Sequence, residues 1–132
     1  MAIPDNSVLL DTSIVVRHFR DRNALAGKLD AYKELYLPQA ALAELYAGAF
    51  RSARPEKNLQ QIMRFLEAVD MLVPDESTPE VYGRISAQLA QAGTPIPQND
   101  IWIAAIAIQF SLPLATADHH FKLVSGLTVL LW

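Results

Sequence analysis

Val8-Leu9-Leu10-Asp11-Thr12-Ser13-Ile14-Val15-Val16 decides how the whole chain is read. Three apolar residues stopped by an acid describe a buried strand, and Val15, Val16 and Phe19 beyond it recur at helical spacing. Thr12 or Ser13 supplies a natural N-cap at the junction. The remainder repeats this alternation of short apolar runs and longer helical patterns, which implies a mostly parallel sheet with helices over both faces.

Working outward, Asp21-Arg22-Asn23 is a turn before a short helix, and Leu35-Tyr36-Leu37 is a second strand stopped by Pro38. Gln39 to Phe50 is an Ala-rich helix, interrupted from Arg51 to Pro55, and Glu56 to Glu67 is another. Val69 to Val73 reads as a strand closed by Pro74. Ser77 and Glu80 have capping-box spacing at the start of the helix that follows. Gly93-Thr94-Pro95-Ile96-Pro97 breaks the chain before Asn99, the expected cap of a helix from Asp100 to Phe110 that is apolar nearly all round and therefore central. Leu114-Ala115-Thr116 and Thr128 to Leu131 are the last strands. The expected fold is α/β, a three-layer α/β/α sandwich on a central sheet of four or five strands, forming one domain over residues 1–132.

Composition agrees with a globular domain: 52% of residues are hydrophobic and 19% charged, enough for a core without disulfides or a structural metal. There is no cysteine, which excludes thiolate nucleophiles, CxxC redox chemistry and Cys-ligated zinc. The N-terminus lacks the basic and apolar regions of a signal peptide. The apolar run Ile101 to Ile108 is too short to span a bilayer. The expectation is a cytoplasmic protein without membrane association. A net charge of −3 does not suggest a nucleic-acid binder, but residues 15–64 hold nine Lys and Arg against five Asp and Glu. That basic stretch beside an acidic remainder suits a polyanion held near carboxylates, although solvated helix faces explain it equally.

In a parallel sheet the reactive crevice lies at the carboxyl ends of the strands. Asp11 follows the first strand directly and Asp118 follows Leu114-Ala115-Thr116-Ala117. Asp100 opens the buried helix. Glu44 points about 200° away from Leu42, at roughly 100° per residue, onto a side lined by Ala40, Ala41, Ala47 and Gly48. Singly, each acid has a plainer reading as a helix-start residue, a dipole partner, a turn residue or a solvated side chain. Together, converging carboxylates repel and call for a cation. Oxygen-only donors without cysteine suit Mg²⁺ or Mn²⁺ and metal-assisted phosphoryl transfer.

Leu9-Leu10-Asp11-Thr12-Ser13, Ala43-Glu44-Leu45 with Gly48, Asn99-Asp100-Ile101-Trp102-Ile103-Ala104-Ala105 and Thr116-Ala117-Asp118-His119-His120-Phe121 resemble, in order and spacing, the motifs of PIN-domain ribonucleases. More narrowly the chain resembles VapC-type toxins of type II toxin–antitoxin pairs. The likeness covers nearly the whole length, and the Gly126-Leu127 to Trp132 ending is similar to the subgroup that cuts initiator tRNA. The resemblance implies a PIN-like fold and a Mg²⁺- or Mn²⁺-dependent endoribonuclease leaving a 5′-phosphate and a 3′-hydroxyl, with tRNA among the possible targets. It assigns Asp11 and Asp100 to the metal most directly, with Glu44 and Asp118 completing the catalytic and metal pocket. Thr116 supports the site, as Thr12 or Ser13 and Asn99 would. It also implies a homodimer held in a hetero-oligomer by a VapB-type antitoxin, whose C-terminal segment wraps the toxin and places a basic side chain in the acidic pocket.

Other readings stand beside this one. A receiver-like module also gathers acids at strand ends and accepts phosphate on an Asp, but Asp11 has no paired acid and Thr128 to Trp132 no Lys. A PIN-like module that binds RNA or a partner without cutting would not need all the acids it retains. His119 and His120 could ligate a metal or join His18 in metal-free cleavage, yet read first as polar residues on the rim. Trp102, Tyr46 and Phe50 read as core or interface. Arg17, Arg20, Arg22, Arg51 and Arg54, with Lys57, are the candidates for RNA phosphate contacts.

Overall fold

In the computed structural model, which describes residues 2–132, strand β1 (Ser7–Leu10) is the middle strand of the sheet and all its residues are buried. On one side it pairs with β2 (Glu34–Pro38), Leu9 facing Tyr36, and β3 (Asp70–Leu72) lies outside that. On the other side it pairs with β4 (Leu114–Thr116), Leu9 facing Leu114, and β5 (Val129–Leu131) closes the edge. Every pairing is parallel and the order is β3-β2-β1-β4-β5, so the expected sheet is five-stranded and parallel throughout.

The chain steps outward from β1 through β2 to β3, then returns to place β4 on the opposite side of β1. Connections therefore leave β1 and β4 in opposite directions, and the crevice opened between their carboxyl ends is where open α/β sheets take ligands.

The helices are α1 (Thr12–Arg20), α2 (Ala26–Asp30), α3 (Gln39–Arg51), α4 (Pro55–Leu66), α5 (Thr78–Gln91) and α6 (Gln98–Gln109). Helix α6 is the central one expected from its composition: Ile101 and every residue from Ile103 to Ala107 are buried. Each large apolar side chain buried there contributes roughly 1.5–3 kcal/mol. By contrast α4 is two-faced, burying Ile62 and Phe65 and exposing Met63 and Arg64. Helix α5 ends as its sequence indicates, at a glycine. Gly93 has φ 70°, its N–H donates to Ala90 and the N–H of Thr94 donates to Leu89, the paired bonds that close a helix through a left-handed residue.

Three helix starts differ from expectation. Thr12 and Ser13 do not cap α1; Asp11 occupies the cap position without a side-chain capping bond, and both hydroxyls bond to acids instead. Helix α6 begins at Gln98 with Pro97 at its cap, so Asn99 lies inside the first turn, and its Nδ2 donates to Ala40 O on α3 at 3.3 Å. The Ser77–Glu80 capping box is not formed: Asp75 Oδ1 accepts the N–H of Ser77, Thr78 Oγ1 accepts that of Asp75, and Glu80 pairs with Arg84. A 3₁₀ helix at His119–Leu123 has no counterpart in the sequence pattern. It is pinned by Phe121, which is fully buried. No helix among the described residues is long and apolar enough to cross a membrane.

Candidate active site

Asp11 stands at the crevice because β1 ends there, and its N–H continues the ladder to Ala115 O at 3.0 Å. Its side chain turns inward and the residue is only 2% exposed. A buried carboxylate needs donors, and two hydroxyls supply them. Ser13 Oγ donates to Asp11 Oδ2 at 2.7 Å and Thr116 Oγ1 donates to the same oxygen at 2.8 Å.

The direction of these bonds is set by the backbone beyond β4. Ala117 N–H donates to Ser13 Oγ and Asp118 N–H to Thr116 Oγ1, each at 3.0 Å. Each hydroxyl thus accepts from the main chain and spends its single hydrogen on Asp11. The 3.3 Å separation between the two hydroxyls is a packing contact rather than a further bond. The arrangement holds Oδ2 fixed and leaves Oδ1 without a protein donor among the described residues.

Asp100 approaches from the first turn of α6. Asn99 beside it ties that turn to the start of α3, the helix that carries Glu44. Thr12 Oγ1 donates to Glu44 Oε1 at 2.9 Å, so α1, α3 and α6 are cross-linked around one point. The pKa of Asp100 is pushed up to about 6, first by burial, then by the negative charge of Asp11; Glu44 adds to the rise, and His120 opposes it. Asp11 and Glu44 therefore both act electrostatically on Asp100, which is part of the repulsion inferred from the sequence for the four acids.

His120 is the member that sequence reasoning places elsewhere. It lies partly buried with Nε2 2.8 Å from Asp100 Oδ2, although its N–H is not aligned on that oxygen, so the contact is an electrostatic approach and not a well-formed hydrogen bond. The 3₁₀ turn over buried Phe121 brings it there. His119 is exposed. The carboxylate of Asp118 is exposed and is not among the charges that act on Asp100; its backbone N–H is what joins the cluster.

Among the described residues no three acidic or histidine side chains stand close enough to grip one ion together. What is present is a pair of inward carboxylates, Asp11 with a free oxygen and Asp100 with a raised pKa, beside a third at Glu44. This donor set fits Mg²⁺ or Mn²⁺, which take one or two carboxylates and complete their shell with water and phosphate oxygens. It suits zinc less well, which favours sulfur and imidazole donors.

A groove of about 500 Å³ between α1, α3 and α4 reaches the acids at Glu44 and also meets Arg20 and Lys57. Arg22 lines a smaller cavity next to it. Arg17, Arg51 and Arg54 are exposed and line neither. Trp102 packs on Tyr82 with ring centroids 4.4 Å apart, in keeping with a packing role. Phe50 is 65% exposed, so of the two places expected for it, core or interface, the core is excluded.

The PIN domain family matches residues 8–127. Among proteins of known kind, Ribonuclease VapC1 of Haemophilus influenzae is 31% identical over 128 residues, covering 94% of each chain. The tRNA(fMet)-specific endonuclease VapC of Shigella flexneri is also 31% identical, over 94% of this chain and 96% of its own. Among solved structures, VapBC-1 of nontypeable Haemophilus influenzae superposes with a TM-score of 0.88 at 29% identity, covering 96% of this chain and 98% of that one. VapBC2 of Rickettsia felis, bound to a promoter DNA fragment, superposes with a TM-score of 0.86 at 26% identity and the same coverage. With its five-stranded parallel sheet, its acids at the switch point and these relatives along nearly its whole length, the chain belongs to the PIN-domain family, among the VapC ribonucleases.

Proposed function

We propose that this chain is a divalent-metal-dependent endoribonuclease, the toxin of a VapBC-type pair, acting on RNA in the cytoplasm as a single PIN domain over residues 1–132. The observation that carries the proposal is the geometry of Asp11. It sits at the switch point, one oxygen fixed by Ser13 and Thr116 and the other free, with Asp100 close enough for its pKa to rise to about 6. Such charge crowding is costly in a protein that holds no cation and is relieved in one that does.

Mg²⁺ or Mn²⁺ bound here supplies Lewis-acid activation of a phosphodiester and of the water that attacks it. Asp11 and Asp100 would hold the ion. Ser13 and Thr116 keep Asp11 in one orientation, so that its free oxygen needs no reorganisation on binding. Thr12 engages Glu44 Oε1, and Glu44, which lines the groove, would accept the proton of the attacking water. Asp118 contributes an acidic rim beside the site.

Partners follow from the relatives. Several solved neighbours are VapBC complexes, which supports a VapB-type antitoxin here and, with it, a homodimer within a hetero-oligomer. Some relatives are tRNA(fMet)-specific endonucleases, which makes tRNA the first substrate to try.

The test is cleavage of total bacterial RNA by the purified chain with Mg²⁺, with EDTA, and as Asp11→Asn, followed by identification of the new ends. Discrete cuts that require Mg²⁺ and Asp11 and leave 5′-phosphates are expected. Cleavage that survives EDTA and ends in 2′,3′-cyclic phosphate would instead transfer the reaction to the histidines.

A further inference from the structure

Below the groove lies a cavity of about 150 Å³ between the end of α1 and α4, lined by His18, Arg22 and Arg64 among others. Phe19 and Gln61 line both it and the groove, so the two spaces adjoin. At roughly 30 Å³ per water the cavity has the room of about five waters, enough for a phosphate group and too little for a nucleoside.

Its cations are unspent. Among the described residues neither Arg22 nor Arg64 forms an ion pair. The acid nearest to Arg22 in sequence, Asp21, is turned to the N–H of Asn23. His18 Nδ1 is buried without a hydrogen-bond partner, its ring packed on Phe65 with centroids 5.8 Å apart. Burial first, and then the charge of Arg22, hold the pKa of His18 below its usual value. The lining comes from the C-terminal parts of α1 and α4, where a helix end is equivalent to about half a negative charge, which two guanidiniums exceed. The site is also braced, since Gln61 Nε2 of α4 donates to Phe19 O of α1.

We propose that this cavity is a phosphate subsite for the RNA substrate: His18, Arg22 and Arg64 hold a backbone phosphodiester remote from the bond that is cut, and the groove past Arg20 and Lys57 carries the strand between. The inference rests on the ribonuclease reading above and adds to it the path of the strand. Free guanidiniums around a phosphate-sized space recognise a phosphodiester without regard to sequence. An acidic protein segment is the competing occupant, and the test separates the two.

The Asp11→Asn chain, expected to bind without cutting, is titrated against a labelled RNA stem-loop over a range of KCl, alone and with Arg22→Gln plus Arg64→Gln. The double change is expected to weaken binding about tenfold at low salt and to flatten the plot of log K against log salt by about 1 for each phosphate that is no longer neutralised. Arg22→Lys with Arg64→Lys keeps most of the slope, because charge is retained. In the cleaving chain the double change to Gln raises KM and leaves kcat unchanged. A salt slope and KM equal to the parent's, in a variant that melts at the parent's temperature, overturn the subsite while leaving the ribonuclease intact. So does an unchanged RNA slope accompanied by weakened binding of the antitoxin, which would assign the cavity to protein docking. If the parent neither binds RNA nor cuts it with Mg²⁺ or Mn²⁺, the ribonuclease reading itself fails and the subsite with it.

Discussion

His120 Nε2 stands 2.8 Å from Asp100 Oδ2 and is the one neighbour that draws the pKa of Asp100 downward, against burial, Asp11 and Glu44. The pairing is built by a fold device, a short 3₁₀ turn that hangs His120 beside α6 by burying Phe121. Removing the imidazole takes away the only opposing influence. The metal-free His120→Ala protein is therefore expected to show Asp100 titrating above the value of about 6 found with His120 present. Carboxyl-carbon NMR over a pH series reads this directly; a pKa that stays put or falls shows that the contact does not form in solution.

Asp100 itself stabilises the metal-free fold only when protonated. Its folded-state pKa, about 6, lies above the ordinary carboxylate value of 3.8. The proton is thus bound more tightly in the folded state, and the contribution is complete below about pH 3.8 and lost as pH rises through 6. Because the side chain is only partly enclosed, solvent screening reduces the effect to the order of 1 kcal/mol. Asp100→Asn removes the ionisation. In EDTA at pH 7.5 this variant is expected to melt a few degrees above the parent, to match it near pH 4, and to cleave no RNA. A variant that melts lower at pH 7.5 contradicts the crowding of charge at this site.

The alternation that predicts the sheet is local, and so it is legible: Leu9, Leu37 and Leu114 announce buried strands wherever they are read. Asp11, Asp100 and Asp118 are legible for the same reason, each standing next to an element end, whereas Glu44 lies within α3 and is marked only by its small neighbours. What escapes is every interaction made across the chain. Ser13 and Thr12 look like caps in their own neighbourhood, but Ser13 accepts the N–H of Ala117, more than a hundred residues on, while donating to Asp11, and Thr12 finds Glu44. Asn99 likewise looks like a cap and bonds Ala40 instead. His120 reads as a loop residue because a 3₁₀ turn of this length carries no period in sequence. Arg64 lies on a polar helix face that any solvated helix would show, and only the packing of α1 on α4 sets it beside Arg22.

Thr116 is completely buried, and its hydroxyl both donates to Asp11 Oδ2 and accepts the N–H of Asp118. Thr116→Val keeps the shape and deletes both bonds, leaving an acid and a main-chain donor short of a partner. The expected cost is about 1–3 kcal/mol of stability, with a fall in cleavage of about tenfold or more because Asp11 can now rotate. Thr116→Ser restores the hydroxyl and is expected to recover most of both. Thermal unfolding and single-turnover cleavage measure the two effects separately. If Val is as active as Thr, the fixed orientation of Asp11 is not needed for the reaction.

Metal and proton compete for Asp100, which gives the cleavage reaction a pH dependence tied to metal concentration. Above about pH 6 the metal-free carboxyl is ionised and available as a ligand; below it the proton must first be displaced. At sub-saturating Mg²⁺ the rate is expected to fall as pH drops through 6. Raising Mg²⁺ should move the midpoint of that fall to lower pH, because the ion then outcompetes the proton. Asp100 supplies one such site, so the shift should approach one pH unit for each tenfold rise in Mg²⁺. A profile whose midpoint ignores Mg²⁺ would place the controlling ionisation on a group that does not hold the ion, and would leave Asp100 with an electrostatic role alone.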